Sequence, residues 1–258
     1  MGYVASFIKF DGEVIGTHRN EPPLSAEEFA DITHILISIP PDEDGDIVLK
    51  TYTQNIIDAP LLKWVGYLST TGVYGDHNGE WVDEDTPPTP KSQRSKNRLL
   101  AENQWLDLFK QHGVSVNIFR LAGIYGPGRS SFDRMDKQRI DKPGHYFSRI
   151  HVEDIAQVLQ KSMFNKDRGE LYCLADDEPC ESRKVIEYAC DLKGLPYPPL
   201  VKFEDAQLSE MAQDFYRENK RVSNHKIKNK LGIKLKHTSY KDGLKSIYNY
   251  FLGDFAKK

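Results

Sequence analysis

Cysteine is scarce in this 258-residue chain: it has three, Cys173, Cys180 and Cys190, and none sits in a Cys-x-x-Cys spacing. An odd, sparse set excludes a disulfide framework and fits reduced thiols in a cytoplasmic protein. Long hydrophobic runs are missing too. No stretch reaches the roughly 18 apolar residues that a spanning helix needs. Met1-Gly2-Tyr3-Val4 opens no basic stretch, apolar core and cleavage site, so no secretory signal is expected. Nor is there an excess of one charge. Lys+Arg number 35 and Asp+Glu 38, a net charge of -3, which leaves no electrostatic footprint for nucleic acid or an anionic membrane. His145 and His151 lack ligand spacing with any Cys, Asp or Glu pair, so no metal is expected. Internal repeats and low-complexity tracts are absent.

What is present suffices for a folded core: 39% of residues are hydrophobic and 28% charged, which argues against disorder. Continuous apolar runs at Glu13 to Thr17, Thr33 to Ile39, Trp64 to Leu68 and Val114 to Leu121 read as strands buried on both faces. Helices are expected between them, at Asp46 to Ile57 and Lys91 to His112, the second closed by Gly113. Strand–helix–strand order predicts an α/β fold with a doubly wound parallel sheet. From about residue 127 the texture turns helical, with one late strand at Gly169 to Leu174. The expected organisation is therefore a sheet-bearing part over 1–126 and a smaller, mainly helical lobe over 127–258, with a soft boundary inside one compact unit.

Four segments carry a resemblance. Tyr67 to Asp76 (YLSTTGVYGD) is a strand end rich in hydroxyls. Val82 to Pro90 (VDEDTPPTP) is acidic and proline-rich. Phe119 to Arg129 (FRLAGIYGPGR) is a strand and loop, and Arg149 to Ala156 (RIHVEDIA) is a helix start. In this order they resemble the extended short-chain dehydrogenases/reductases, the group of NAD-dependent epimerases and dehydratases. The resemblance covers roughly residues 2 to 250 at fold level. It implies a Rossmann-like sheet, a nicotinamide cofactor and a small-molecule substrate at the carboxyl ends of the strands. It also implies a homodimer through the long helices.

Two departures stand out. The family's catalytic Tyr-x-x-x-Lys pair belongs on the helix after the prolines. Here Arg94 takes the tyrosine's place and Arg98 the lysine's if Glu102 sets the register, whereas a shift by two gives Ser92 and Lys96. Under either alignment no tyrosine occurs between Tyr74 and Tyr125. A guanidinium does not shuttle protons at neutral pH. Arg94 and Arg98 share a helix face and either bind an anionic ligand or form a solvated face, with Arg98 paired to Glu102. The second departure is the missing Gly-x-Gly-x-x-Gly opening. Gly2-Tyr3 resembles the end of that loop, so the first strand of the sheet is expected to be missing, through a mis-started or truncated reading frame.

The expected cofactor contacts are Gly2, Tyr3, Thr17, Arg19, Ser38, Pro40 and Ser69. With Thr17 and Arg19 and no acid at the end of the second strand, NADP is favoured over NAD, and no cofactor is expected if the truncation is real. Thr70, Arg94 and Arg98 are the catalytic candidates. Tyr74, Arg120, Arg129 and Arg221 are the substrate candidates, for an anionic or phosphorylated small molecule. Competing readings stay open: an altered oxidoreductase or epimerase-like enzyme, a non-catalytic nucleotide-binding or regulatory module, or a non-functional remnant.

Overall fold

The computed structural model describes residues 2–19, 21–135 and 138–255. Local capping chemistry sets most helix starts. Ser25 and Glu28 cap each other reciprocally at the head of α1 (Ala26–Ala30), which leads to β1 (His34–Ile37). The Asp46 carboxylate accepts from the Val48 and Leu49 amides to start α2 (Ile47–Asp58). β2 (Trp64–Thr70) and the short β3 (Trp81–Val82) follow. Ser92 caps α3 (Gln93–His112), and Gly113, at φ 70°, ends it in the left-handed region open to glycine. Next come β4 (Val116–Leu121), β5 (Gly123–Tyr125), β6 (Arg139–Asp141), β7 (Arg149–His151) and α4 (Val152–Phe164). β8 (Leu171–Leu174), α5 (Ser182–Lys193), β9 (Leu200–Lys202), α6 (Glu210–Arg217), β10 (Arg221–Val222), α7 (His225–Leu231) and α8 (Tyr240–Phe255) complete the chain.

The main sheet has four parallel strands in the order β1-β2-β4-β8. Side chains alternate across it with the two-residue period of a strand. On one face Val65, Tyr67, Val116 and Ile118 pack against Ala101, Trp105 and Leu108 of α3 and Ile56 of α2. On the other, Trp64, Leu68, Phe119 and Leu121 meet Ile155, Val158 and Leu159 of α4 and Ile227 and Leu231 of α7. Each large side chain buried this way is worth about 1.5–3 kcal/mol over leaving it exposed. This is the expected Rossmann-like α/β arrangement with helices on both faces.

Two expectations need correction. Glu13 to Thr17 is not a strand: residues 11–19 are exposed, and β1, the nearest strand by sequence, pairs with β2 alone. Val14 and Ile15 carry strand propensity but have no neighbouring strand to take their backbone groups. The division near residue 127 also does not separate sheet from helices. β8 is the fourth strand of the main sheet and α4 covers one of its faces, because both bury apolar stripes that only the sheet can cover. Outside the sheet, α5 and α8 form a separate cluster around Val185, Ala189, Leu244 and Ile247.

Candidate functional site

All four strands of the sheet run the same way, so their carboxyl ends form one rim. Register fixes the alignment there: Ile37 lies beside Tyr67, Ser69 beside Arg120, Thr70 beside Leu121, and Arg120 beside Cys173. The segments after the strands, at Ser38, Thr71, Ala122 and Ala175, therefore leave from one side of the layer, the side where ligands bind in open α/β sheets.

Beneath the rim lies a buried polar network. Glu102 of α3 is 1% exposed and Arg120 of β4 is 4% exposed. The Arg120 guanidinium donates to Glu102 through Nε at 3.1 and 3.2 Å and through Nη2 at 2.7 Å. The Ser69 hydroxyl donates to the same carboxylate. Arg120 also lies over the Tyr74 ring, 4.7 Å from its centroid, and the Tyr74 hydroxyl meets the Cys173 thiol at 3.0 Å. Burial pushes Tyr74 and Cys173 well above their ordinary pKa values. The bonds to Glu102 raise that of Arg120 against the opposing effect of its own burial. Arg98 is 9% exposed and donates through Nη1 to the Tyr67 hydroxyl at 3.0 Å and the Leu68 carbonyl at 2.9 Å.

These contacts decide among the roles expected on α3. Ser95, Arg98, Glu102 and Trp105 form its inward stripe, while Arg94 is exposed. The expected Arg98–Glu102 pair is replaced: Glu102 turns to the opposite charge of Arg120 on β4, and Arg98 to the neutral Tyr67 hydroxyl and Leu68 carbonyl at the end of β2, hydrogen bonds that offset part of the cost of burial. Ser69, Tyr74 and Arg120, expected to touch ligand, are likewise built into the core, their polar groups already committed. Thr70 is half-buried at the strand end, where its hydroxyl accepts from the Gly72 amide at 3.1 Å. Gly72 packs on the first turn of α3: a Cβ there would sit 3.0 Å from the Ser95 hydroxyl. The helix end carrying Arg94 thus starts beside the Thr70 turn.

The N-terminal residues come to the same rim. Gly2 faces Ser38, with room for a Cβ only 3.2 Å from its hydroxyl. The Tyr3 hydroxyl donates to the Pro127 carbonyl at 3.1 Å, and Arg129 lies over the Tyr3 ring at 5.8 Å. At Gly126 a Cβ would meet the Tyr3 oxygen at 2.5 Å and Val152 Cγ1 at 2.6 Å, so glycine is required there. Arg19 is exposed, with its Nη2 donating to the Pro40 carbonyl at 2.6 Å. Thr17 is exposed and, with no strand around it, stands at no strand end.

Arg221 lies further along, on the β3–β10 ribbon. Its guanidinium is stacked between Trp81 (5.5 Å) and Tyr146 (4.7 Å), with Nε donating to the Gly79 carbonyl at 2.5 Å. Lys220 ties that ribbon to the rim by donating to the Gly75 carbonyl at 2.7 Å. His77 is satisfied by the Tyr74 carbonyl at 3.1 Å. Asn224 stands at the N-cap of α7 without capping it; its amide donates to the Ala175 carbonyl and to Asp177. Sequence reasoning used Glu102 to set a register and as a partner for Arg98, and missed it as the hub. The available signal was an acid on the inward stripe of α3, in line with Arg98, Trp105 and Leu108. Asp176 was missed as well. It follows β8, is 1% exposed, leaves Oδ2 without a hydrogen-bond partner, and is raised by burial to about 8. Among the described residues no helix is long and apolar enough to cross a membrane.

Comparison with known proteins agrees with this geometry. The family model for the NAD dependent epimerase/dehydratase family matches residues 51–172, a span from α2 through β8. The chain is 28% identical over 165 residues to protein YeeZ of Escherichia coli K12, covering 60% of this chain and 58% of that protein, so the match takes in less than two thirds of the curated relative. A functionally unknown conserved protein from Silicibacter pomeroyi is 49% identical, with a TM-score of 0.84 over 90% of this chain and 81% of its own. The fold is also that of dTDP-glucose 4,6-dehydratase from Bacillus anthracis, solved in complex with NAD, at 18% identity and a TM-score of 0.67 over 87% of this chain and 74% of that one. The parallel sheet and the rim at its carboxyl ends thus give this chain the fold of those proteins, and its residues 51–172 are similar to the NAD dependent epimerase/dehydratase family.

Proposed function

We propose that the rim binds a nicotinamide dinucleotide and that the protein is an oxidoreductase- or epimerase-like enzyme for a small anionic substrate. One observation carries this reading. Gly2 and Tyr3 are seated between the Ser38 turn and the Gly126–Pro127 loop, at the carboxyl ends of parallel strands. That is where a dinucleotide lies in this architecture, and the fold neighbour from Bacillus anthracis was solved with NAD. Gly2, Tyr3, Ser38 and Pro40 would line the cofactor. Arg19, held beside Pro40 and exposed, favours a 2′-phosphate and therefore NADP over NAD.

In this proposal Thr70 orients a substrate oxygen, Arg94 supplies positive charge at the mouth, and Arg129 and Arg221 receive the substrate's anionic group. Ser69, Tyr74, Arg98 and Arg120 hold the floor in place instead. α3 offers no phenol, so the proposed chemistry draws on charge stabilisation and not on a tyrosine proton relay. That same absence favours a second reading, a nucleotide-binding module without catalysis. Titration of the chain with NADPH and NADH, followed by cofactor fluorescence, tests the shared premise; tighter binding of NADPH is expected, and binding of neither overturns both readings. An NADPH-consumption assay across carbonyl compounds and nucleotide sugars then separates them: turnover assigns the enzyme, and binding without turnover assigns the module.

A further inference from the structure

Behind the Gly126 loop, which packs on Val152, the start of α4 meets the segment that enters α8, and three ligand-type side chains converge there. His151 is the N-cap of α4, Glu153 is its second residue, and His237 lies just ahead of α8. One ring nitrogen from each histidine and one Glu153 carboxylate oxygen lie within 4.8 Å of one another. His237 Nε2 is 3.0 Å from Glu153 Oε2, and the two imidazole centroids are 3.9 Å apart. The histidines are 2% and 6% exposed, whereas the Glu153 side chain is 42% exposed, so the cluster is sunk into the protein and open on the carboxylate side.

The His151 ring is poorly satisfied as it stands. Its Nε2 is buried with no hydrogen-bond partner, and its Nδ1 receives only a long 3.3 Å contact from the Glu153 amide. An orphaned buried polar atom is costly, and His151 Nε2 has no hydrogen-bond partner to offset that cost. A shared cation would.

We propose that His151, Glu153 and His237 form a binding site for a divalent transition-metal ion of the zinc type. Two imidazoles and a carboxylate are a donor set that zinc takes in four-coordinate sites, with water in the open position. Ligation through His151 Nε2 puts that ring's proton on Nδ1, so the long contact from the Glu153 amide is given up and the ring turns its Nδ1–H away from that donor. Asp154 supplies the support behind the ligands: its carboxylate accepts from the Lys236 amide at 2.7 Å and the His237 amide at 3.2 Å, fixing the segment that carries His237. Lys236 is the nearby opposing charge. Its ammonium is 4.0 Å from Glu153, on a side chain 60% exposed, which is free to turn into solvent. The ion would clamp the entry to α8 onto the start of α4. Tyr125, whose ring meets His151 edge-on at 5.1 Å and whose hydroxyl donates to the Ser239 carbonyl, would share in that clamp.

The site does not depend on the reading of the rim. Titration of the tag-free, chelator-stripped full chain with Co²⁺ tests it, because a four-coordinate site gives intense visible absorption that free cobalt lacks. One equivalent is expected, displaced by Zn²⁺, together with a rise in melting temperature on adding Zn²⁺. Glu153→Gln and His237→Gln should each weaken Co²⁺ binding by about tenfold or more. Paramagnetic broadening by Co²⁺ of two histidine ring signals among the eight histidines reads the same site in the unaltered chain, should a variant fail to fold. Absence of the visible bands at equimolar cobalt, unchanged affinity in both folded variants, or broadening of other histidines only, overturns the proposal.

Discussion

On one side of the rim stand Ser69, Glu102 and Arg120; on the other lie residues 2–19. The first group is inside the core and bonded on every side. The second is anchored at its start, where Val4 is buried in the core and Tyr3, Phe7 and Ile8 pack against it, and is exposed from residue 9 to residue 19, where Arg19 reaches Pro40. The difference separates two jobs that share one place. The floor is fixed by charge pairing that cannot be opened without exposing an ion to the interior, whereas the exposed residues 9–19 can change their side chains at little cost to the fold. Stability should therefore respond to the floor and ligand affinity to the segment.

The largest effect expected is at the floor. Arg120→Leu strands the Glu102 carboxylate and should lower unfolding free energy by about 3–5 kcal/mol in urea titrations. The Glu102→Leu/Arg120→Leu pair should recover most of that loss. Similar stability for the single and wild-type chains would erase the contrast. Asp176 extends the floor to β8 and gives it a pH signature. Burial raises its carboxyl to about 8, against about 4 in an unfolded chain. Between those values the folded chain keeps a proton that the unfolded chain has lost, so this contribution is fully present below about pH 4 and declines as pH rises to about 8. Relative to Asp176→Asn, the wild type should lose up to about 1.4 kcal/mol per pH unit across that window, as followed by denaturant midpoints. A wild type that gains stability over Asp176→Asn as pH rises would contradict the assignment.

Gly126→Ala tests the join between the two regions. The new methyl collides with Tyr3 and Val152, and a loss of about 1–3 kcal/mol is expected. Adding Tyr3→Phe, which removes one of the two colliding atoms, should restore part of it. The smallest effect on stability belongs to Arg19→Ala, within about 0.5 kcal/mol. Under the proposed function the same change lowers NADPH affinity about tenfold and leaves NADH untouched. Equal losses for the two cofactors would remove Arg19 from the 2′-phosphate.

Much of the sheet was legible in the sequence. The runs at Thr33 to Ile39, Trp64 to Leu68 and Val114 to Leu121 are apolar on both faces, which only a doubly covered strand requires, and each became a strand within a few residues. Glu13 to Thr17 misled because propensity describes a residue's fit to a pleated surface and not whether a neighbouring strand is at hand. The late strand at Gly169 to Leu174 was visible, but its membership in the main sheet was not, since pairing partners lie outside any local pattern. The site was legible as a place and less so as a set of roles. The turn at Ser69–Thr70 and the loop at Gly126 do share a rim. Which hydroxyls and cations are free there depended on Glu102, and one carboxylate's choice between Arg98 and Arg120 leaves no trace in spacing.

That choice has a consequence for how the protein could be altered. Glu102 ties α3 to both β2 and β4, two turns along from Arg94. In the first turn Ser95 faces inward against Gly72, while the Arg94 side chain points to solvent and makes no part of that hold. New side chains grafted at position 94 would be presented from a fixed bench, so the cleft's reactivity could be rewritten one residue at a time while the scaffold stays as it is.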